Sequence, residues 1–260
     1  DINVTLPADD LCLRAARLLQ RASGSPLGCD IHIHKIIPWG AGLGGGSSNA
    51  ATVLHALNFL WELHWPGERL EALALQLGAD VPFFIRGLSA WVEGVGEQIT
   101  PIPLPDEVLT TRLALLKPPA AIPTAAIFGS ALLKRDTPHA KVCDFLAAPT
   151  RFGHNDLQEP AEAWRMPTDD GDASAEAVAS DGRDVSHALG VMQARFGNSR
   201  MTGSGSTVFA WVDGNSPPCE SLSADDVTTL AEASPHEGHW VGRVCHAVPR
   251  HPLLNMLYSA

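Results

Sequence analysis

The chain has 260 residues, nearly half of them apolar and under a fifth charged, with a net charge of −11. That length suits two ordinary domains or one large one, no apolar run approaches a membrane span, and the spread of acidic residues argues against a broad nucleic-acid footprint. The cysteines (Cys12, Cys29, Cys143, Cys219 and Cys245) are odd in number, far apart and form no CxxC, so neither a zinc site nor a disulfide framework is suggested, and a reducing cytosol is the simplest setting.

In chain order, DINVTL alternates as a strand. Asp9 or Asp10 can cap a helix through LCLRAARLLQRA, whose Leu11, Ala15, Leu18 and Leu19 share a face. DIHIHKII has strand character and runs into PWGAGLGGGSSNA at 38–50. Ala50, Val53, Leu54, Leu57 and Trp61 then recur at helical spacing, with Ser47 or Ser48 as a natural N-cap. GERLEALALQL is a further helix with Gly78 at its C′ position. ADVPFFIRG is expected to be extended, SAWVEGVGEQITPI to be strand, turn and strand, and TRLALLKP to be a buried strand ended by Pro118-Pro119.

Residues 165–184 are acidic, small and poor in large apolar side chains, the composition of a solvated, disordered insertion. Val185, Ala188, Leu189, Met192 and Phe196 restore the helical period, which Gly197-Asn198 ends. MTGSGSTVFAWV is a glycine-rich turn leading into a strand, SADDVTTLAEA a last helix and GRVCHAV a last strand. No internal repeat stands out.

The stretch at 38–50 carries the chemistry. Gly40-Ala-Gly42-Leu-Gly44-Gly45 satisfies GxGxxG, but a dinucleotide fold needs an acidic residue ending the next strand about 20 residues on. That distance falls near Glu62, within the following helix. A P-loop fails as well, because no Lys-Ser/Thr follows the glycines. A strand, five glycines in seven residues, two serines and a helix start still make an anion site. Converging N–H groups and the helix dipole favour phosphate, and a hydroxyl of Ser47 or Ser48 can reach phosphate or its Mg²⁺. A tight turn against a neighbouring element would need only one or two glycines.

PWGAGLGGGSSNAA resembles the ATP-binding loop of the GHMP kinases. LNFLW, LGADVPFFIRG, EGVGEQITPI, IPTAAIF, HNDLQEPA, RMTGSGSTVFAWV and HPLLNML agree with the family in order and cover most of the chain outside the acidic stretch. The resemblance implies an α/β fold of two domains. A ribosomal-protein-S5-like ATP-binding domain would span 1–103, and a ferredoxin-like substrate domain 104–260. ATP and Mg²⁺ would be the cofactors, and neither nucleic acid nor membrane a partner. LGADVPFFIRG and EGVGEQITPI, with the loop, point to the branch that phosphorylates the 2-hydroxyl of a cytidine-diphosphate-linked methylerythritol, a small-molecule substrate of isoprenoid biosynthesis.

The same resemblance implies the site. Asp80 takes the catalytic position, as the carboxylate facing the acceptor hydroxyl. Lys35, Pro38, Gly40, Gly42, Leu43, Gly44, Gly45, Gly46, Ser47, Ser48 and Asn49 would bind ATP. Thr124, Phe128, Gly203, Ser204 and Gly205 would meet the substrate, Phe128 stacking on the cytosine. Read as residues alone, Asp80 could satisfy turn amides, Phe128 could be core and Lys35 a solvated strand end. Asn155 and Gln158 fit a capping box. The eleven histidines show no metal-binding spacing, and no metal ligand is assigned beyond Ser47 or Ser48 on Mg²⁺.

The family's opening Pro-Ala-Lys-Ile/Leu-Asn lysine and its Gly-Tyr-His do not occur. The sequence therefore reads as starting partway into the first domain, with no Met before Asp1. Three alternatives stay open. One is another GHMP kinase of the mevalonate or homoserine type, against which Phe128 and LGADVPFF argue. Another is a non-catalytic nucleotide- or partner-binding module. The last is a dinucleotide dehydrogenase.

Overall fold

The computed structural model describes residues 7–165, 181–212 and 240–257. The expected DINVTL strand, the SADDVTTLAEA helix and Cys219 lie outside them, as does most of 165–184. The chain divides into two compact units. The first comprises Asp1–Ile36, Gly44–Leu104 and Val248–Ala260, and the second Ile37–Leu43 and Pro105–Ala247.

The first unit is mainly helical. Asp10 starts α1 (Leu11–Ser23) by accepting the N–H of Cys12 at 2.8 Å, and left-handed Gly24 ends it. α2 (Gly45–Leu60), α3 (Gly67–Ala74) and α4 (Val81–Arg86) follow, then a hairpin of β1 (Ala90–Glu93) and β2 (Gln98–Pro101). Leu19, Ala50, Leu54, Leu70, Ala74, Val81 and Ile85 form the centre of its core. Truncating a fully buried Leu54 or Leu70 to Ala costs about 2–5 kcal/mol in such settings.

The second unit is an antiparallel sheet with helices against it. β3 (Arg112–Lys117) lies between β5 (Val208–Val212) and β6 (Val241–His246), and the short β4 (Arg200–Met201) edges β5. α5 (Asp106–Thr110), α6 (Thr124–Phe128), α7 (Val142–Ala147) and α8 (Gln158–Ala163) are short, and α9 (Gly182–Phe196) is long. β5 alternates buried and half-buried side chains. Its Val208, Ala210 and Val212, with Ala114 and Leu116 of β3, share a core with Val185, Ala188, Leu189 and Met192 of α9. α10 (Pro252–Leu257) belongs to the first unit.

Several expectations need correction. ADVPFFIRG is not extended: residues 81–86 are α4. Pro82 sits in the first turn, where a missing N–H costs nothing, and Gly87 at φ +59° stops the helix. DIHIHKII forms no strand, because among the described residues no strand pairs with it; only the alternation of exposure at Ile31–Ile36 survives. The cap of α2 is left-handed Gly44, three residues before Ser47. α3 ends at Ala74, and Gly78 is not left-handed. The expected insertion 165–184 is too long at its far end: Asp181 caps α9, and Gly182 and Asp184 are buried within it. Gly182 N–H bonds Trp164 O at 3.0 Å, joining the two described ends.

Candidate active site

Gly40, Gly42 and Gly44 all adopt left-handed φ, between +64° and +66°. A Cβ on Gly42 would lie 2.4 Å from Thr202 O and 2.7 Å from Gly205 O. The turn 202–207 is stitched to this half of the loop. Thr202 Oγ1 donates to Gly42 O at 3.1 Å, Ser206 N–H to Gly40 O at 3.1 Å and Thr207 N–H to Ala41 O at 3.2 Å. Gly203 and Gly205 are left-handed too, and a Cβ on Gly203 would lie 2.8 Å from Gly42 O. Two glycine turns thus interlock at a spacing no side chain permits.

The other half of the loop opens α2. A Cβ on Gly44 would meet the Phe84 ring at 2.8 Å. Ser48 N–H makes the bond to Gly44 O, so the amides of Gly45, Gly46 and Ser47 precede the helical ladder, and no side chain caps them. A Cβ on Gly46 would touch only Leu11 Cδ1, at an ordinary 3.5 Å, and its φ is not positive. Ser47, Ser48 and Asn49 are half-buried around this turn. Pro38 and Leu43 are half-buried in the second unit's part of the loop. Lys35 is half-buried and close enough to Cys12 to oppose, weakly, the burial and the Asp10 charge that push that thiol up to about 12. Cys12, Cys29, Cys143 and Cys245 are free thiols.

Asp80 immediately precedes α4. Its side chain is exposed and makes no cap hydrogen bond, so the turn-amide role is not what holds it. Its backbone is fixed from several sides. Gly96, at φ +107°, lets the hairpin turn press against Ala79; a Cβ there would lie 2.2 Å from Ala79 O. Arg86 binds Glu71 of α3 through Nε and Nη2 at 3.0 and 2.6 Å, and Ile99 O of β2 at 3.1 Å. His55 Nε2 bonds Ile85 O at 2.9 Å, and burial holds this imidazole below its ordinary pKa. His251 N–H bonds Gly87 O at 2.8 Å. LGADVPFFIRG and EGVGEQ, separated by five residues in sequence, are therefore one packed corner with a free carboxylate at its tip.

In the second unit, Thr124 opens α6 and Phe128 closes it. The Phe128 ring is 50% exposed, so it is not core. Thr124 Oγ1 and Ser204 Oγ lie 3.1 Å apart, which joins α6 to the 202–207 turn. Asn155 does not form the expected capping box. Its Nδ2 donates to Met201 O and Gly203 O at 2.9 and 2.7 Å, and its Oδ1 accepts from Leu157 N–H. Gln158 Oε1 accepts from Met201 N–H. HNDLQ is thus a clamp on the late glycine turn. Capping-box spacing predicts partners within the helix, whereas Met201 and Gly203 are more than 40 residues away. Lys117 also escaped sequence reasoning, although one lysine ending the apolar run LALL was the available signal.

Residues 10–88 match the family model for the GHMP kinases N terminal domain. The chain is 52% identical to a 4-diphosphocytidyl-2-C-methyl-D-erythritol kinase of Methylibium petroleiphilum, over 97% of this chain and 78% of that one. A relative of the same name from Polaromonas naphthalenivorans is 44% identical over 95% of this chain and 73% of its own. The chain belongs to the 4-diphosphocytidyl-2-C-methyl-D-erythritol kinase family, within the GHMP kinases. A solved 4-(cytidine 5'-diphospho)-2C-methyl-D-erythritol kinase superposes with a TM-score of 0.64 at 30% identity, covering 95% of this chain and 81% of that one. A homoserine kinase of Cytophaga hutchinsonii, at TM-score 0.58 and 16% identity, shares the fold alone. The expected α/β kinase fold and membership of an ATP-using kinase family hold. Among the described residues no helix is long and apolar enough to cross a membrane.

Proposed function

We propose that this kinase transfers the γ-phosphoryl group of ATP to the 2-hydroxyl of 4-diphosphocytidyl-2-C-methyl-D-erythritol, the compound named in its relatives. The observation that carries the ATP half is the first turn of α2. It presents amides ahead of the helical ladder at the positive end of a 16-residue helix, beside a glycine with room for a Cβ that it does not have. Gly45, Gly46 and Ser47 bind phosphate through these amides. Among the described residues no group of three His, Cys, Asp or Glu is placed to hold a metal. In this reading Mg²⁺ would enter with the phosphates, against Ser47 or Ser48, in keeping with its habit of sharing few protein ligands.

Bound Mg-ATP supplies the phosphoryl group and neutralises charge that develops on it. Asp80 accepts the proton of the acceptor hydroxyl as that oxygen bonds to phosphorus. An exposed carboxylate on a rigid backbone suits that role, because its geometry is set without its oxygens being consumed. Phe128 stacks on the cytosine, and Thr124 with Ser204 meets the polar part of the acceptor. In this reading the first unit is the ATP-binding domain, and the second carries the acceptor pocket. Lys35 lies near the nucleotide.

The test is turnover of the full-length protein with ATP and the cytidyl acceptor, followed by ³¹P NMR. A new phosphomonoester signal, coupled to ADP release, is expected. Phosphorylation of mevalonate or homoserine in its place would overturn the acceptor assignment.

A further inference from the structure

β3 ends in a lysine whose side chain is buried: Lys117 is 7% exposed. Taking an ammonium out of water is costly unless the protein supplies partners. Its Nζ donates to Pro118 O at 2.5 Å and to Ala120 O at 2.8 Å. Asp184, fully buried in the first turn of α9, adds a favourable charge. Burial nonetheless pulls the ammonium down to about 8. An apolar residue would end this strand without that penalty, so the donors must serve something.

The segment they reach is Pro118-Pro119-Ala120-Ala121-Ile122-Pro123. Three of its six residues lack an N–H, so it cannot hold its shape by a regular pattern of backbone bonds. Its carbonyls can still be tied by donors from outside. Ala120 O receives two of them, Lys117 Nζ from β3 and Ser206 Oγ from the late glycine turn. Ser206 in turn passes its N–H to Gly40 O. Immediately after this segment come Thr124, bonded to Ser204, and Phe128.

We propose that Lys117 is a positioning residue for the acceptor: with Ser206 it fixes Ala120 O, and so sets the start of α6 and the placement of Thr124 and Phe128. The proposal rests on the reading that Thr124 and Phe128 face the acceptor. Lys117 itself touches no reactant.

Lys117→Met keeps the length of the side chain and removes its donors. In the full-length enzyme the acceptor KM should rise about 10-fold, while kcat and the ATP KM change less than about threefold, as expected when only uniform acceptor binding is lost. Hydrogen exchange should quicken at the amides of Ala121, Ile122 and Thr124 to Ile127, and not at Ala188 to Met192 in α9. Ser206→Ala should give the same split, and the double variant should fall short of the sum because both donors serve one carbonyl. Should Lys117→Met fail to fold, Lys117→Met/Asp184→Asn removes both charges and carries the same measurements. An acceptor KM within twofold of wild type in these variants would overturn the proposal, provided Phe128→Ala raises it. If Phe128→Ala also leaves it unchanged, the acceptor reading falls and takes this proposal with it.

Discussion

Gly42 and Gly46 lie four residues apart in one loop and are glycines for different reasons. A Cβ on Gly42 would stand 2.4 Å from a backbone oxygen, and φ there is +66°. On Gly46 it would make one ordinary contact with a leucine methyl. The protein's own packing demands the first glycine and not the second. The contrast extends across the molecule. Gly42, Gly44, His55, Arg86 and Asn155 are interlocked with other protein atoms, whereas Asp80, Gly46 and Phe128 stand open. Interlocked residues should answer to stability measurements and open ones to kinetics.

Asp80→Asn should show the largest effect. It removes the proton acceptor and keeps the shape, so kcat should fall about 10²–10⁴-fold. Tm and the ATP Kd should stay where they are, since the carboxylate caps nothing. A large drop in Tm would move Asp80 to the interlocked class.

Gly42→Ala should do the reverse. Left-handed strain and overpacking against Thr202 O and Gly205 O together cost about 2–5 kcal/mol, read as a loss of urea midpoint at unchanged m. Equal stability would show that the two glycine turns can separate freely.

Phe128→Ala should raise the acceptor KM by the loss of about 1–3 kcal/mol of stacking. Half the ring surface is already exposed, so Tm should move little. A destabilised fold with unchanged KM would return Phe128 to the core.

The smallest effect concerns pH. Burial lowers the His55 pKa, His251 lowers it further, and the carbonyl of Ile85 opposes them. Below the ordinary value of 6.5 the unfolded chain therefore binds a proton that the folded chain refuses. The His55 contribution to stability is full above that pH and declines as pH falls toward the folded value. The His55 ring resonances should titrate with a midpoint below 6.5; a midpoint at or above 6.5 would contradict its place among the interlocked residues.

Much of this division was legible in the sequence, and its misses have physical causes. Periodicity located α1, α2 and α9, because each buries one stripe of a helix against a core. The GHMP loop and the Asp80 motif were readable from their letters. α4 was missed because Pro82 reads as a breaker until it is known to sit in a first turn. DIHIHKII looked like a strand because alternation reports a half-buried extended chain, and not whether a neighbour completes the ladder. Asn155 bonds to carbonyls distant in sequence, and Lys117 to bare carbonyls of a proline-rich turn, neither of which a residue spacing encodes. The letters also cannot separate Gly42 from Gly46, since the difference lies in what surrounds each one.

That difference gives the most direct test of the phosphate assignment. Gly46→Ala places a methyl in the first turn of α2 where the protein has room for it. Tm should hold or rise slightly, since alanine in place of helical glycine gains at most about 0.5–1 kcal/mol. The ATP Kd, measured by calorimetry on the same sample, should weaken about 10-fold or more as the methyl blocks phosphate from the amides. An unchanged ATP Kd in a stably folded Gly46→Ala protein would contradict the claim that this turn binds phosphate.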